Sequence, residues 1–122
     1  MSSILFVDDE AGHLELFRFA LRDLPYTLLT AQGANEATKI LNDETPELIV
    51  LDVAMPGISG LDLLHQLRAD DRWAATKIIL ATAVPMRVPK EDAESVHRVL
   101  PKPFELDQLE EAVLDALAAT RS

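Results

Sequence analysis

The segment Leu48–Gly60, LIVLDVAMPGISG, begins with four apolar residues, reaches an acidic residue at Asp52 and then turns through proline and glycine. The apolar run is short and lacks polar alternation, which is typical of a strand buried on both faces of a sheet. Comparable runs occur elsewhere along the chain, at Ile4–Val7, Tyr26–Thr30, Ile78–Ala81 and, more weakly, Arg98–Leu100. The sequence therefore predicts five strands, each buried on both faces.

The segments between these runs carry apolar residues at helical spacing. Pro25 is expected to end the first helix, and Pro85 and Pro89 restrict the fourth connection to a short helix that begins near Pro89. Strands that alternate with helices predict a doubly wound parallel α/β sheet, in which ligands bind at the carboxyl ends of the strands. The apolar positions of the other helices are Leu14, Phe17, Leu21 and Leu24; Ala37, Ile40 and Leu41; Leu61, Leu64 and Leu67; and Leu106, Leu109, Val113 and Leu117.

Composition limits the class of protein. A chain of 122 residues with 48% hydrophobic residues fits one globular domain over residues 1–122. The absence of cysteine excludes disulfides, thiolate zinc sites and cysteine nucleophiles. The net charge of −10 disfavours direct binding to nucleic acid or to anionic membranes. The N-terminal segment has neither a signal peptide nor a membrane span, so we expect a cytoplasmic protein.

Polar residues follow four of the predicted strands. Asp8 and Asp9 follow the first strand, Asp52 the third, Thr82 the fourth and Lys102 the fifth. Carboxylates that converge at one sheet edge repel each other unless a cation lies among them, and oxygen ligands with room for water suit Mg²⁺. A hydroxyl and an ammonium group beside such a metal suit phosphoryl oxygens. The pattern predicts a phosphoryl-transfer site with a carboxylate nucleophile.

Each of these residues also has a structural explanation. Asp8 and Asp9 are favoured residue types for capping the first helix, and Asp52 alone fits a turn. Threonine is common in strands, which explains Thr82, and a single lysine such as Lys102 is more often solvated than catalytic. Because all of them stand at strand ends in one ordered set, the functional interpretation is the stronger one.

The segments ILFVDDE, LIVLDVAMPGISG, IILATA and LPKPF together resemble the signature set of response-regulator receiver domains, the phosphoacceptor modules of two-component signalling. The resemblance covers nearly the whole chain and implies a flavodoxin-like (βα)5 fold with strand order 2-1-3-4-5. It also implies a phosphorelay switch rather than an enzyme, with a sensor histidine kinase or phosphotransfer protein upstream and a protein target downstream. We expect a monomer or weak homodimer without an output domain.

The resemblance assigns a role to each site residue. It implies that Asp52 is the phosphoacceptor and that Asp8, Asp9, Asp52 and the backbone carbonyl of Ala54 bind Mg²⁺, with Asp8 acting mainly through metal-bound water. Thr82 would hydrogen-bond the phosphoryl group and Lys102 would pair with it. A cis peptide bond between Lys102 and Pro103 is implied as well, and Pro56 and Gly60 would shape the loop after Asp52.

The sequence departs from the family pattern at three places. Val99 stands three residues before Lys102, where receivers usually carry an aromatic residue that follows the threonine inward. The interval of 20 residues from Thr82 to Lys102 is slightly short, which puts the fourth helix and the usual output face in doubt. Ala54 and Val84 are apolar where many relatives are polar, so we expect slow hydrolysis of the phosphorylated form.

Other interpretations are open at this point. A haloacid-dehalogenase-like phosphatase needs an acid two residues after the nucleophile, and this chain has Ala54 there. A nucleotide-binding or flavodoxin-like module needs a phosphate-binding loop after the first strand, where this chain is acidic. A degenerate receiver that binds partners without phosphorylation is the nearer alternative. His13, His65 and His97 share no ligand spacing, and Trp73 is interpreted as a packing residue.

Overall fold

A computed structural model describes residues 2–55 and 57–120. Within them the chain forms a five-stranded parallel sheet in the order β2-β1-β3-β4-β5. The strands are β1 (Ser3–Val7), β2 (Thr27–Ala31), β3 (Leu48–Asp52), β4 (Lys77–Thr82) and β5 (Arg98–Pro101). The helices are α1 (Ala11–Ala20), α2 (Ala34–Asp43), α3 (Gly60–Arg68), α4 (Lys90–Glu94) and α5 (Leu106–Thr120). The predicted fold and strand order are confirmed.

Alternate residues of the strands pack into two hydrophobic layers, one on each face of the sheet. Leu5 and Ile49 face the layer that contains α2 and α3, whereas Ile4 and Val50 face the layer that contains α1 and α5. In the second layer the ring of Phe6 stacks on the ring of Phe17 in α1, with 4.1 Å between the ring centroids. Trp73 is buried in the first layer, so its packing role is confirmed.

The prediction that all five strands are buried on both faces is wrong for β2 and β5, the two outermost strands of the sheet. In β5 the first two residues are half-buried, Leu100 is buried and Pro101 is exposed. In β2 Thr27 is exposed, the next three residues are half-buried and Ala31 is buried. The strand pairs with β1 alone and forms one edge of the sheet, which leaves its side chains partly open to solvent. Apolar composition therefore identified the strand, whereas its exposure depends on its position in the sheet.

Proline does not end the first helix directly. Helix α1 ends at Ala20, and the chain turns before it reaches Pro25. The turn is closed by a hydrogen bond from the Leu24 amide to the Leu21 carbonyl, 3.1 Å long. Leu21 and Leu24 still pack in the layer of α1 and α5, which explains why they continue the helical spacing.

The fourth connection is short and irregular, as the two prolines predict. A single 3-10 turn covers Pro85–Arg87, and Pro89 is the N-cap residue of α4, which has five residues. Two side chains of α3 hold this helix in place. His65 Nε2 lies 2.8 Å from Asp92 Oδ1, and the Arg68 guanidinium donates to the Ser95 carbonyl over 2.6 Å.

Candidate functional site

The sheet brings the predicted site residues together at the carboxyl ends of its strands. In the parallel register Val7 pairs with Leu51, Asp52 with Ala81, and Thr82 with Pro101, so the four strands end level with one another. The Lys102 amide donates to the Thr82 carbonyl over 2.8 Å, which continues this register past the end of β5. The convergence predicted from the strand ends is therefore present.

Three carboxylates form the centre of the site. Asp8, Asp9 and Asp52 each offer an oxygen within 4.8 Å of the other two, a cluster found among the described residues. Asp8 and Asp52 are buried, whereas Asp9 is exposed and faces the solvent side of the cluster. An all-oxygen set with one open side fits a hydrated Mg²⁺, which keeps several waters when it binds to protein carboxylates.

The electrostatics of Asp52 also fit a cation. Burial raises the pKa of its carboxyl, Lys102 lowers it and the charge of Asp8 raises it further, with a net shift above the ordinary value. A hydrogen bond from the Ala54 backbone lowers this pKa as well, without reversing the shift. The ionised carboxylate is thus disfavoured by its surroundings, and a divalent cation beside Asp8 and Asp52 relieves that cost.

Lys102 bridges the two buried carboxylates. Its Nζ lies 3.1 Å from Asp52 Oδ1 and 3.1 Å from Asp8 Oδ2. Burial lowers the pKa of its ammonium group, but the charge of Asp52 and the contacts with Asp8 outweigh burial and raise it overall. The ammonium group therefore stays charged at neutral pH beside the two buried carboxylates. The Lys102–Pro103 peptide bond is cis, as the resemblance implies.

Thr82 is buried at the end of β4. Its Oγ1 accepts a hydrogen bond of 3.1 Å from the amide of Val84, two residues further along the chain. This contact fixes the hydroxyl at the edge of the sheet and leaves its own proton available for an acceptor at the site. Val99, on the neighbouring strand, is half-buried and packs against the layer of α2 and α3.

The loop after Asp52 is held close to the sheet by the start of α3. The Gly60 amide donates to the Val53 carbonyl over 2.9 Å, and Ser59 and Asp62 form a capping box. Gly57 adopts a φ of 77°, a conformation that favours glycine. Pro56, which the resemblance also placed in this loop, lies outside the described residues.

One residue of the site was missed by sequence reasoning. His13 Nδ1 lies 2.9 Å from Asp8 Oδ2, whereas the sequence analysis assigned no role to the three histidines because they share no ligand spacing. The capping role considered for Asp8 and Asp9 is not what the structure has, because Glu10 is the N-cap residue of α1. Asp8 Oδ1 instead accepts from the Glu10 amide over 2.9 Å, outside the helix. The position of His13 in the first turn of the helix that follows Asp8 was the available signal.

Comparisons with known proteins agree with this fold. Residues 4–114 match the family described as the response regulator receiver domain. The chain is 38% identical over 81 residues to the phosphate regulon transcriptional regulatory protein PhoB of Pseudomonas aeruginosa, covering 66% of this chain and 35% of that protein. It is 38% identical over 107 residues to the response regulator MprA of Mycolicibacterium vanbaalenii, covering 87% and 46%.

A solved structure is similar over most of both chains. The response regulator protein TrrA of Thermotoga maritima, in complex with Mg²⁺ and BeF, superposes with a TM-score of 0.82 at 34% identity, covering 95% of this chain and 99% of that one. This chain spans less than half of the length of PhoB and MprA. The helices that lie within residues 2–55 and 57–120 are all too short or too polar to cross a membrane. The family match, the sheet order and the relatives agree that the chain belongs to the response regulator receiver domain family of two-component signalling.

Proposed function

We propose that the chain is a phosphorelay switch in which Asp52 accepts a phosphoryl group from a phosphohistidine. The observation that carries the proposal is the placement of the buried Asp52 carboxylate beside Asp8 and Lys102 at the carboxyl ends of the strands. A carboxylate nucleophile needs charge neutralisation more than proton transfer, and this arrangement supplies it. The donor is a sensor histidine kinase or a phosphotransfer protein.

In the proposed step a carboxylate oxygen of Asp52 forms a bond to phosphorus as the bond between phosphorus and the histidine nitrogen breaks. The imidazole nitrogen leaves with the electron pair, and the product on this chain is an acyl phosphate. Lys102 starts 3.1 Å from Asp52 Oδ1, so its ammonium group reaches the transferred phosphoryl oxygens by a small movement. Lysine binds phosphoryl oxygens as a point charge, which tolerates such a movement.

Mg²⁺ is the proposed cofactor, held by Asp8, Asp9, Asp52 and the backbone carbonyl of Ala54, with Asp8 acting mainly through water. The support comes from the oxygen cluster within 4.8 Å and from the raised pKa of Asp52. When bound, the ion neutralises charge on the transferring phosphoryl oxygens. That TrrA was solved with Mg²⁺ and BeF gives the same proposal independent support.

After phosphorylation, Thr82 and Lys102 would turn towards the new phosphoryl oxygens. Phosphorylation adds about −1.5 to −2 charges and three acceptor oxygens at this edge. The movement would change the surface around α4 and β5, where a protein target would bind. Because Val99 replaces the usual aromatic residue, the coupling between Thr82 and β5 would rely on a smaller side chain than in most receivers.

Residues 1–122 are proposed to act as one receiver unit in the cytoplasm, as a monomer or weak homodimer without direct contact to nucleic acid. The unit catalyses only its own phosphorylation and dephosphorylation. The phosphatase alternative is disfavoured because Ala54 provides no acid. The degenerate-receiver alternative keeps the fold but denies acyl phosphate formation, so labelling separates it from the proposal.

The test is labelling of the purified protein by a small radioactive phosphodonor, such as phosphoramidate, with and without Mg²⁺. We expect label on the wild type that depends on Mg²⁺ and no label on Asp52→Asn. Asp71→Asn is the matched control, because Asp71 is an exposed aspartate in the connection that leads into β4. It therefore lies on the side of the amino-terminal end of that strand, away from the site. Persistent labelling of Asp52→Asn, or wild-type protein that takes no label, would overturn the proposal.

A further inference from the structure

Asp8 is satisfied by donors from three different parts of the chain. Among the described residues, its Oδ1 accepts from the Glu10 amide at 2.9 Å, and its Oδ2 accepts from Lys102 Nζ at 3.1 Å and lies 2.9 Å from His13 Nδ1. The Asp8 side chain is 1% exposed, so water cannot easily replace a lost donor. A buried carboxylate that loses a partner costs more than an ordinary hydrogen bond is worth.

The His13 ring is fixed for this contact. Its backbone amide donates to the Glu10 carbonyl over 3.1 Å at the start of α1, and its Nε2 lies 3.3 Å from Glu10 Oε2. The ring also lines a pocket of about 430 Å³ together with Lys102. Nδ1 is the ring nitrogen that faces Asp8, and it donates to the carboxylate in the tautomer that carries the proton on Nδ1.

Lys102 and His13 share one oxygen of Asp8, but they differ in their other partners. Lys102 also contacts Asp52, the proposed phosphoacceptor, and it has to follow the phosphoryl group once that group is present. His13 makes its contact with Asp8 independently of Asp52. When Lys102 moves away, His13 Nδ1 is the donor that continues to satisfy Asp8 Oδ2.

We propose that His13 is a positioning residue that holds Asp8 through Nδ1 and thereby frees Lys102 for the phosphoryl group. The inference rests on the proposed function, because it requires Lys102 to contact Asp8 before phosphorylation and the phosphoryl group afterwards. Without the histidine donor, Asp8 would retain Lys102 more tightly and would itself be less fixed. Hydrogen bonds to a metal-binding side chain commonly change affinity or activity about 10- to 100-fold when they are removed.

Two substitutions separate hydrogen-bond donation from helix stability. In His13→Asn the side-chain amide nitrogen occupies the place of Nδ1, since both atoms are two bonds from Cβ. In His13→Leu the volume is kept and the donor is lost. Leucine has the higher helix propensity of the two, so if His13 acted through the stability of α1, His13→Leu would keep the higher phosphorylation rate. If His13 acts through the hydrogen bond, His13→Asn keeps the higher rate.

The experiment measures Mg²⁺-dependent phosphorylation by phosphoramidate, with donor concentration varied, and chemical unfolding of each variant. We expect His13→Leu to lower the maximal rate about tenfold, with less than a twofold change in the half-saturating donor concentration, and His13→Asn to stay within about threefold of the wild type. Equal rates for all three proteins, or equal losses in both variants, would overturn the proposal. If His13→Leu does not fold, His13→Ala replaces it with the same expectations.

Long-range proton–nitrogen NMR of the wild type without metal provides a second measurement. We expect a proton on Nδ1 of His13 at pH 8. A neutral ring protonated only at Nε2 would overturn the proposal, because Nδ1 would then have no hydrogen to donate to Asp8. The NMR result does not depend on phosphorylation. If the wild type takes no label, the proposed function fails, and the NMR spectrum still reports whether His13 donates to Asp8.

Discussion

Gly60 lies so close to the backbone of the proposed phosphoacceptor that a single methyl group does not fit. A Cβ at Gly60 would lie 2.1 Å from the carbonyl oxygen of Asp52, and 2.8 Å from both the carbonyl carbon of Asp52 and Cα of Val53. The close approach is maintained by the hydrogen bond from the Gly60 amide to the Val53 carbonyl. Gly60→Ala therefore tests how tightly α3 is fixed against the end of β3.

The contact with the Asp52 carbonyl would have to open from 2.1 Å to at least 3.0 Å, a shift of about 0.9 Å against backbone atoms. Overpacking of this kind costs about 1 to 3 kcal/mol and sometimes more. The gain in helix propensity from alanine is at most about 1 kcal/mol and is smaller in the first turn. We expect the free energy of unfolding to fall by about 2 to 3 kcal/mol, which lowers Tm by about 10 °C.

The assay is urea unfolding followed by the fluorescence of Trp73, which is buried and is the one tryptophan of the chain. Gly12→Ala is the matched control, because a Cβ at Gly12 in α1 meets open space within the part of the chain that is described. The control should be as stable as the wild type or up to about 1 kcal/mol more stable. Because Asp52 would move with its carbonyl, the labelling rate of Gly60→Ala should also fall, by up to about 100-fold. A Gly60→Ala protein as stable as the wild type would refute the reasoning.

Three further predictions concern charge, hydrogen bonding and hydrolysis. Because the pKa of Asp52 is raised in the folded state, its ionisation costs stability above about pH 4. Asp52→Asn without Mg²⁺ should therefore be more stable than the wild type at pH 7, and the difference should be lost as the pH falls and the carboxyl becomes protonated. A difference that grows on acidification in urea unfolding would contradict this. Arg68 donates to the carbonyls of Trp73, Thr76 and Ser95, so Arg68→Met should lose about 2 to 3 kcal/mol in the same assay. Arg72→Met removes an exposed ion pair with Asp70 and a cation–π contact with the Trp73 ring, and it should change stability by less than about 1 kcal/mol. The labelled wild type should lose its phosphoryl group slowly. Ala54→Asn should lose it about tenfold faster, because a polar side chain at this position can orient the attacking water. Rapid loss of label from the isolated wild type would show that the apolar residue does not slow hydrolysis.

Much of the site could be predicted because parallel strands end at a common edge. The apolar runs located all five strands to within one residue at each end, and Asp52 and Lys102 stand directly at the ends of β3 and β5. Proline at residues 85 and 89 also predicted the short α4. These are local signals, carried by fewer than ten consecutive residues, and local backbone preference and burial are enough to produce them.

The contacts of Arg68 and His65 could not be predicted in the same way. Arg68 reaches the Ser95 carbonyl and His65 reaches Asp92 across 27 residues of sequence, and both contacts depend on how α4 packs against α3. The exposure of β2 likewise depends on which strand lies beside it. Each of these features is a relation between elements, and hydrophobic periodicity holds no information about such relations.

The sequence alone determined the five strand–helix units, the acidic and basic residues at their ends, and through them the class of chemistry. The tertiary structure decided that the Asp8 carboxylate contacts the Glu10 amide, His13 and Lys102. It also decided that Gly60 lies against the backbone of Asp52. Strand formation follows from burial along a short segment, so sequence patterns reveal it. The environment of a buried carboxylate is set by side chains up to 94 residues apart, and only the folded chain brings them within hydrogen-bond distance.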